Sequence, residues 1–369
     1  MFFSIDRRTI RYFDWLSLFL MLALSLIGLA FVYSATFKPE VPYSLFFKKQ
    51  LFGVISGFII YGICCFTDFR SLMRWGYFAY FVVIGLLIFT LIKGSIGMGG
   101  QRWIDLGIIK IQPSELAKLL FPAYATYYFY TEKETLSFNL REFLPVLTML
   151  IISFIVIRKQ PDLGTALIVL FSGLILIWLA GMSKKFFITS LIVILSTAPV
   201  LWHCLKTYQK NRVLVFLGYG ESRKERYQIE QSQIAIGSGG LWGKGYLKGT
   251  QNKLQFLPES RTDFIFSVIA EEMGFAGALL IIILFALLII HLIAVIATIK
   301  SPFMQLLASG LIIHIALAAI INIFMVTGLL PVVGIPLPFI SYGLSNLWVT
   351  FASMGWFNSI ALARSYRNE

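Results

Sequence analysis

Phe256-Leu-Pro-Glu-Ser-Arg-Thr-Asp263-Phe-Ile-Phe-Ser267 closes the one long polar segment of this 369-residue chain and opens its longest apolar run, Phe264–Ile299. A helix over that run is about 54 Å long at 1.5 Å per residue, well beyond a ~30 Å hydrocarbon core. It must tilt, protrude or bend, and Gly274 and Gly277 are where a bend is expected. Asp263 places a carboxylate at the head of this run, between basic Arg261 and apolar Phe264, Ile265 and Phe266. Two readings fit. In one, Thr262 or Asp263 caps the helix and its charge suits the macrodipole. In the other, a carboxylate between a wet basic loop and apolar side chains is a tuned acid or base. An extended approach to the helix would point Arg261 and Asp263 the same way.

Composition makes the rest of the chain consistent with a membrane. Hydrophobic residues are 58% and charged residues only 13%, against about a quarter charged in soluble domains. The fold class expected is all-α: a polytopic integral membrane protein with one transmembrane domain over 1–369. Ten runs are long enough to cross or nearly cross: Trp15–Ser34, Leu51–Phe66, Trp75–Ile92, Pro113–Tyr130, Phe143–Ile157, Leu163–Met182, Phe186–Trp202, Phe264–Ile299, Phe303–Gly328 and Leu344–Ala363. The first reads as a retained helix and not a cleaved leader, with Arg7, Arg8 and Arg11 holding the N-terminus in the cytoplasm. Ten crossings put the C-terminus there too, and the long loop 204–262, between the seventh and eighth runs, outside. The net charge of +13 points to anionic lipid head groups or a pyrophosphate, not to nucleic acid. Cys64, Cys65 and Cys204 lack metal or redox spacing, and His203, His291 and His314 read as ordinary helix or interface residues.

The long loop has its own signals. Ser222-Arg-Lys-Glu225 is a capping box, predicting a short helix to about Ile236 that stops at Gly237. The glycines that follow, between 237 and 249, fit neither a P-loop nor a dinucleotide fingerprint. They suit close approach of backbone to a bulky ligand.

With an inside N-terminus, every Gly/Pro-rich, charge-bearing loop falls on one face. These are Gly99-Gly-Gln-Arg102-Trp-Ile-Asp105, Arg158-Lys159-Gln-Pro-Asp162, the loop ending in Asp263, and Pro331 to Gly343. Gln112-Pro-Ser-Glu115 echoes Gln160-Pro-Asp162, each with Pro at a helix start and an acid in the first turn. Glu115 and Lys118 share a helix face, either as a local ion pair or as part of a polar cavity. Arg102, Arg158 and Lys159 could grip a pyrophosphate or lipid head groups. Glu271 and Glu272 lie two turns into the eighth run. One of them is free to pair with a neighbouring helix and the other to face the cavity.

These motifs together resemble the SEDS family (shape, elongation, division, sporulation). The matching segments are Phe13-Asp-Trp15, Gly99-Gly-Gln-Arg-Trp-Ile-Asp105, Gln112-Pro-Ser-Glu-Leu-Ala-Lys118, Lys159-Gln-Pro-Asp-Leu-Gly-Thr-Ala166, Gln231-Ser-Gln-Ile-Ala-Ile-Gly-Ser-Gly-Gly240, Phe256-Leu-Pro-Glu259, Thr262-Asp-Phe-Ile-Phe266 and Gly334-Ile-Pro-Leu-Pro-Phe-Ile-Ser-Tyr-Gly343. Gly249-Thr-Gln251 leans to the elongation (RodA) branch over the division branch. The resemblance implies ten transmembrane helices in the bacterial cytoplasmic membrane and peptidoglycan glycosyltransferase activity on lipid II, with an outer-face site. It also implies a class B penicillin-binding protein as partner, alongside other membrane proteins of the elongation complex. Asp263 would be the general base. Arg102, Glu115, Lys118, Lys159, Asp162, Arg261 and Ser341 would line the substrate cavity, and Mg or Mn could assist without a dedicated site. A lipid II flippase and a non-catalytic scaffold are the rival readings. The chain departs from the family's usual pattern at Arg261 (His), Leu344 (Gly) and Phe324 (a small residue).

Overall fold

The computed structural model describes residues 11–97, 100–105, 107, 110–132, 140–203, 207–216, 219, 223–254 and 256–366. Each of the ten apolar runs is a helix. In chain order they are α1 (Trp15–Thr36), α2 (Leu45–Phe66), α3 (Phe69–Lys93), α4 (Pro113–Glu132), α5 (Leu140–Lys159), α6 (Leu163–Leu179) and α7 (Lys184–His203), then α11 (Ile265–Ala297), α12 (Pro302–Val326) and α13 (Leu344–Tyr366). Among the described residues α1, α2, α3, α11 and α12 are long and apolar enough to cross a membrane by length and composition alone. The others are shorter, carry charges or are less apolar. The chain is thus a polytopic, membrane-embedded helical protein.

Three further helices lie between α7 and α11: α8 (Thr207–Phe216), α9 (Arg223–Ser238) and the single turn α10 (Thr250–Lys253). Helix α9 runs two residues past the expected stop at Ile236. The capping-box side chains of Ser222 and Glu225 lie outside the described residues, as do Gly99 and Cys204.

The all-helical expectation needs one amendment. The segment read as a loop after α3 is a small antiparallel sheet, β1 (Ser95–Gly97), β2 (Gly100–Asp105) and β3 (Lys110–Ile111), in the order β1-β2-β3. Ser95 pairs with Trp103, and Ile104 with Ile111. The Gly107 N–H donates to Asp105 Oδ1 at 2.9 Å, closing an Asx-type turn between β2 and β3. This bond, helped by the Lys110 ammonium, lowers the Asp105 pKa.

Helix α12 is the hub. It packs against α4, α6, α11 and α13, and Leu307, Ala308, Leu311, Ile315 and Ala319 are buried in the core. A second core joins α3, α4, α5 and α6 around Tyr80, Phe121, Phe129 and Leu150.

Helix α11 bends where the glycines were placed. Gly274 has φ 68° and ψ −163° inside an otherwise continuous helix of 33 residues. The kink strands main-chain groups on either side, and the glycine-rich loop after α9 satisfies them. Lys244 N and Gly245 N donate to the carbonyls of Glu271 and Glu272, while Phe275 N and Ala276 N donate to those of Gly240 and Leu241. A Cβ on Gly243, at φ +79°, would lie 2.1 Å from Glu272 O. These glycines admit helix backbone and not the bulky ligand suggested by the sequence.

Candidate active site

The segment that carries Asp263 is not extended. Residues 258–264 form a turn, and Phe264 is the N-cap of α11, with no side-chain capping bond. The N-cap position considered for Thr262 or Asp263 thus falls to Phe264. The geometric premise for Arg261 and Asp263 pointing together fails, because a turn does not alternate side chains as a strand does. The Arg261 guanidinium instead sits 4.0 Å above the centre of the Phe46 ring, a cation–π contact.

Three successive carbonyls of this turn are held from elsewhere in the chain. Tyr342 N donates to Arg261 O at 2.9 Å. Ser341 Oγ donates to Thr262 O at 2.6 Å and accepts from Leu337 N at 2.7 Å. Asn322 Nδ2 donates to Asp263 O at 2.8 Å and to Ile335 O at 2.6 Å. A turn cannot satisfy these carbonyls internally, so the irregular segment 331–343 and helix α12 supply the donors. Burial pushes the Tyr342 hydroxyl pKa up, and the Arg261 guanidinium opposes that shift.

Half-buried Asp263 lines a cavity of about 630 Å³, within the range of small-molecule sites. Glu115 and Asp162 reach the same cavity, as do Lys49, Arg102 and Lys110. Asp162 is 3% exposed, and its oxygens are fully engaged. It caps α6 through Thr165 N (3.3 Å), accepts from Gln112 Nε2 (2.6 Å) and Ser114 Oγ (3.4 Å), and pairs with Arg102 Nη1 at 3.3 Å. The two echoed motifs are therefore partners: the Gln112-Pro-Ser segment binds the acid of the Gln160-Pro-Asp segment. Such pairing is what a buried carboxylate requires.

Glu115 and Lys118, both buried, form an ion pair at 2.6 Å. Of the two, only Glu115 lines the cavity. Ser341 is buried, spends its hydroxyl on the turn, and is not part of the lining. Neither Arg261 nor Lys159 contributes to the lining, and Lys159 is exposed at the end of α5. Lys49 and Lys110 do, although the sequence reading passed over both. The signal available was the Lys48-Lys49 pair at the head of α2 and the odd spacing of Lys110 from Asp105, its ion-pair partner at 3.2 Å. Asn322 gave no signal, because one Asn in an apolar helix resembles any buried polar residue.

Glu271 and Glu272 both serve the kink and not the cavity. Glu271 accepts from Lys244 Nζ (2.7 Å), Thr250 N (2.7 Å) and Gln251 N (3.1 Å). Glu272 accepts from Ser34 Oγ on α1 at 2.5 Å and from Leu247 N at 3.1 Å. Among the described residues no three His, Cys, Asp or Glu side chains are grouped to hold a metal ion. Of the carboxylates in the cavity lining, Glu115 is committed to Lys118 and Asp162 to Arg102, and Asp263 and Glu259 complete the set.

Residues 14–366 match the FtsW/RodA/SpoVE family of cell cycle proteins. The chain belongs to this family. It is 37% identical over 315 residues to the peptidoglycan glycosyltransferase MrdB of Escherichia coli strain K12, covering 85% of each chain. It is 32% identical over 365 residues to a probable peptidoglycan glycosyltransferase FtsW of Geobacter metallireducens, covering 96% of each. Its fold superposes on a chain from the structure of a peptidoglycan synthase complex with TM-score 0.80 and 26% identity, over 95% of this chain and 98% of that one. The rod shape determining protein RodA of Thermus thermophilus gives TM-score 0.70 at 25% identity, over 95% and 97%. Membership agrees with the elongation-branch resemblance of the sequence motifs.

Proposed function

We propose that the chain is a peptidoglycan glycosyltransferase that polymerises lipid II into glycan strands during cell elongation and shape maintenance. The observation that carries this reading is Asp263, fixed by three carbonyl clamps at the wall of a cavity that also presents Lys49, Arg102 and Lys110. The relatives named as glycosyltransferases support the same reaction.

Asp263 takes the proton from the acceptor sugar's 4-hydroxyl. That oxygen attacks the donor's anomeric carbon from the face opposite the pyrophosphate. The new glycosidic bond forms as the bond to polyprenyl pyrophosphate breaks, and the bonding pair leaves on the phosphate oxygen, inverting the carbon. Lys49, Arg102 and Lys110 offset the leaving group's charge. Arg102 and Lys110 already have carboxylate partners, so Lys49 carries the most uncommitted charge of the three. The Glu115–Lys118 and Asp162–Arg102 pairs shape the cavity wall. Ser341 and Arg261 act on the turn that bears Asp263. Lys159, exposed outside the cavity, is suited to lipid head groups.

The cavity faces the outer side of the cytoplasmic membrane, with both termini inside, in a single transmembrane domain. A class B penicillin-binding protein would crosslink the strands, a reading supported by the synthase-complex relative. Purified chain with labelled lipid II, with and without such a partner, tests the proposal. Glycan polymer that disappears in Asp263→Ala supports it. Movement of lipid II across vesicles without polymer would favour the flippase reading, and neither result would favour a scaffold.

A further inference from the structure

The loop Gly239–Gly249 takes no part in the chemistry above, yet its placement is unusual. Tyr246 Oη donates to Ala30 O on α1 at 2.8 Å, and its ring meets Phe31 edge-on at 5.9 Å. Helix α1 is a ruler for depth. Its 22 residues span about 33 Å, close to a ~30 Å hydrocarbon core. Ala30 precedes the cavity-side end of α1, Thr36, by six residues, about 9 Å along the axis. The loop's other anchor, the kink at Gly274, lies nine residues beyond the start of α11 at Ile265, about 14 Å along it. The α1 distance places the loop below the end of that helix, at membrane depth; α11 is longer than the bilayer and agrees with that depth without fixing it.

Irregular backbone persists at that depth only when its polar groups are satisfied by protein. The part of the loop that faces the kink meets this condition. The kinked backbone of α11 engages Lys244 N, Gly245 N, Gly240 O and Leu241 O. The carboxylates of Glu271 and Glu272 take Lys244 Nζ and Leu247 N. The tip of the loop presents large apolar side chains, Leu241 68% and Trp242 83% exposed, while Tyr246 and the charged Lys248 are exposed nearer its end, where a Lys stem can carry its ammonium to the head groups. Leu241 and Trp242 continue a stripe of exposed apolar residues on α11 formed by Phe275, Leu279, Ile282 and Ile283. In a membrane-embedded chain such a stripe faces lipid.

We propose that Gly239–Gly249 is a re-entrant loop, with Leu241 and Trp242 seated in the lipid leaflet on the cavity side. Trp suits the boundary between head groups and acyl chains, where its ring is apolar and its N–H meets water. The segment is then a membrane anchor for the kink, and through α11 for the turn bearing Asp263.

The test places a fluorophore at the tip. Cys64, Cys65 and Cys204 are replaced by Ala, Trp242→Cys is labelled with an environment-sensitive dye, and the chain is reconstituted in phosphatidylethanolamine–phosphatidylglycerol vesicles. Lipids carrying a nitroxide near the head of the acyl chain should quench the dye several-fold more than aqueous iodide does. Quenching by iodide comparable to that of the free dye, without nitroxide quenching, overturns the proposal. Quenching by neither also overturns it, since protein and not lipid would then cover the tip. A second measurement keeps the native cysteines. Trp242→Phe should remove part of the tryptophan emission that brominated lipid quenches, and an unchanged quenchable fraction in a folded variant overturns the proposal equally.

Discussion

Asn322 donates one side-chain N–H to the carbonyl of Asp263 at 2.8 Å and the other to the carbonyl of Ile335 at 2.6 Å. One amide thus ties the proposed base to the irregular segment that roofs its cavity. Asn322→Ala leaves both carbonyls without a donor, a loss of about 1–3 kcal/mol for each buried group. Polymerisation by Asn322→Ala is expected to fall about 10- to 100-fold, mostly in kcat, since the turn and not the substrate loses contacts. Ser341→Ala should behave similarly through Thr262. Steady-state kinetics on labelled lipid II separate this from a simple folding defect. A lowered thermal midpoint with unchanged kcat would make both residues mere fold supports.

Asp263→Asn and Asp263→Ala should insert and fold normally yet make no polymer. Removal of a general base costs at least ~10²-fold. Near-normal glycan synthesis by either purified variant would remove Asp263 as the base.

Gly334 presses on the same carboxylate. It has φ +75°, and a Cβ there would lie 3.3 Å from Asp263 Oδ2. Gly334→Ala therefore carries both a left-handed backbone penalty of about 1–2 kcal/mol and a shift of the base. Activity should drop more than the thermal midpoint suggests. The comparison is with Gly240→Ala, also at positive φ (+56°) with open space around it and away from the cavity, which should strain the backbone and spare turnover.

Glu115→Gln leaves Lys118 charged in a buried site, and breaking such a pair from one side costs about 3–5 kcal/mol. The double change Glu115→Gln, Lys118→Met removes the stranded charge. Its thermal midpoint should recover most of the loss while polymerisation stays low, because Glu115 faces the cavity. Recovery of both together would show that the pair only supports the fold.

Gly243→Ala should loosen the loop from the kink. The new Cβ would meet Glu272 O, a main-chain atom that cannot swing aside as a side chain can. A fall of more than ~2 kcal/mol in stability is expected, read as a lower thermal midpoint and faster proteolysis between α9 and α11.

The helices were legible because apolar runs in a membrane protein are long and uninterrupted, and the kink at Gly274 because a run that overshoots the bilayer needs a bend. The cavity's acids were legible through the clustering of charged loops on one face. Three features were not. The small sheet after α3 is built from short strands whose pairing depends on register and not on composition. Ser341 was placed at the site but given the wrong kind of contact, since sequence does not say which partner a hydroxyl chooses. Lys49 was lost because α2 begins at Leu45, six residues before the apolar run suggested.

The three donors that clamp the Asp263 turn, Asn322, Ser341 and Tyr342, all follow it in the chain. During synthesis the carboxylate therefore emerges long before the groups that aim it. A nascent chain stopped anywhere before residue 341 can carry Asp263 into the membrane and still lack its setting. With Asp263 in its proposed role, competence is expected only near the end of translation, and prematurely terminated products are expected to make no polymer.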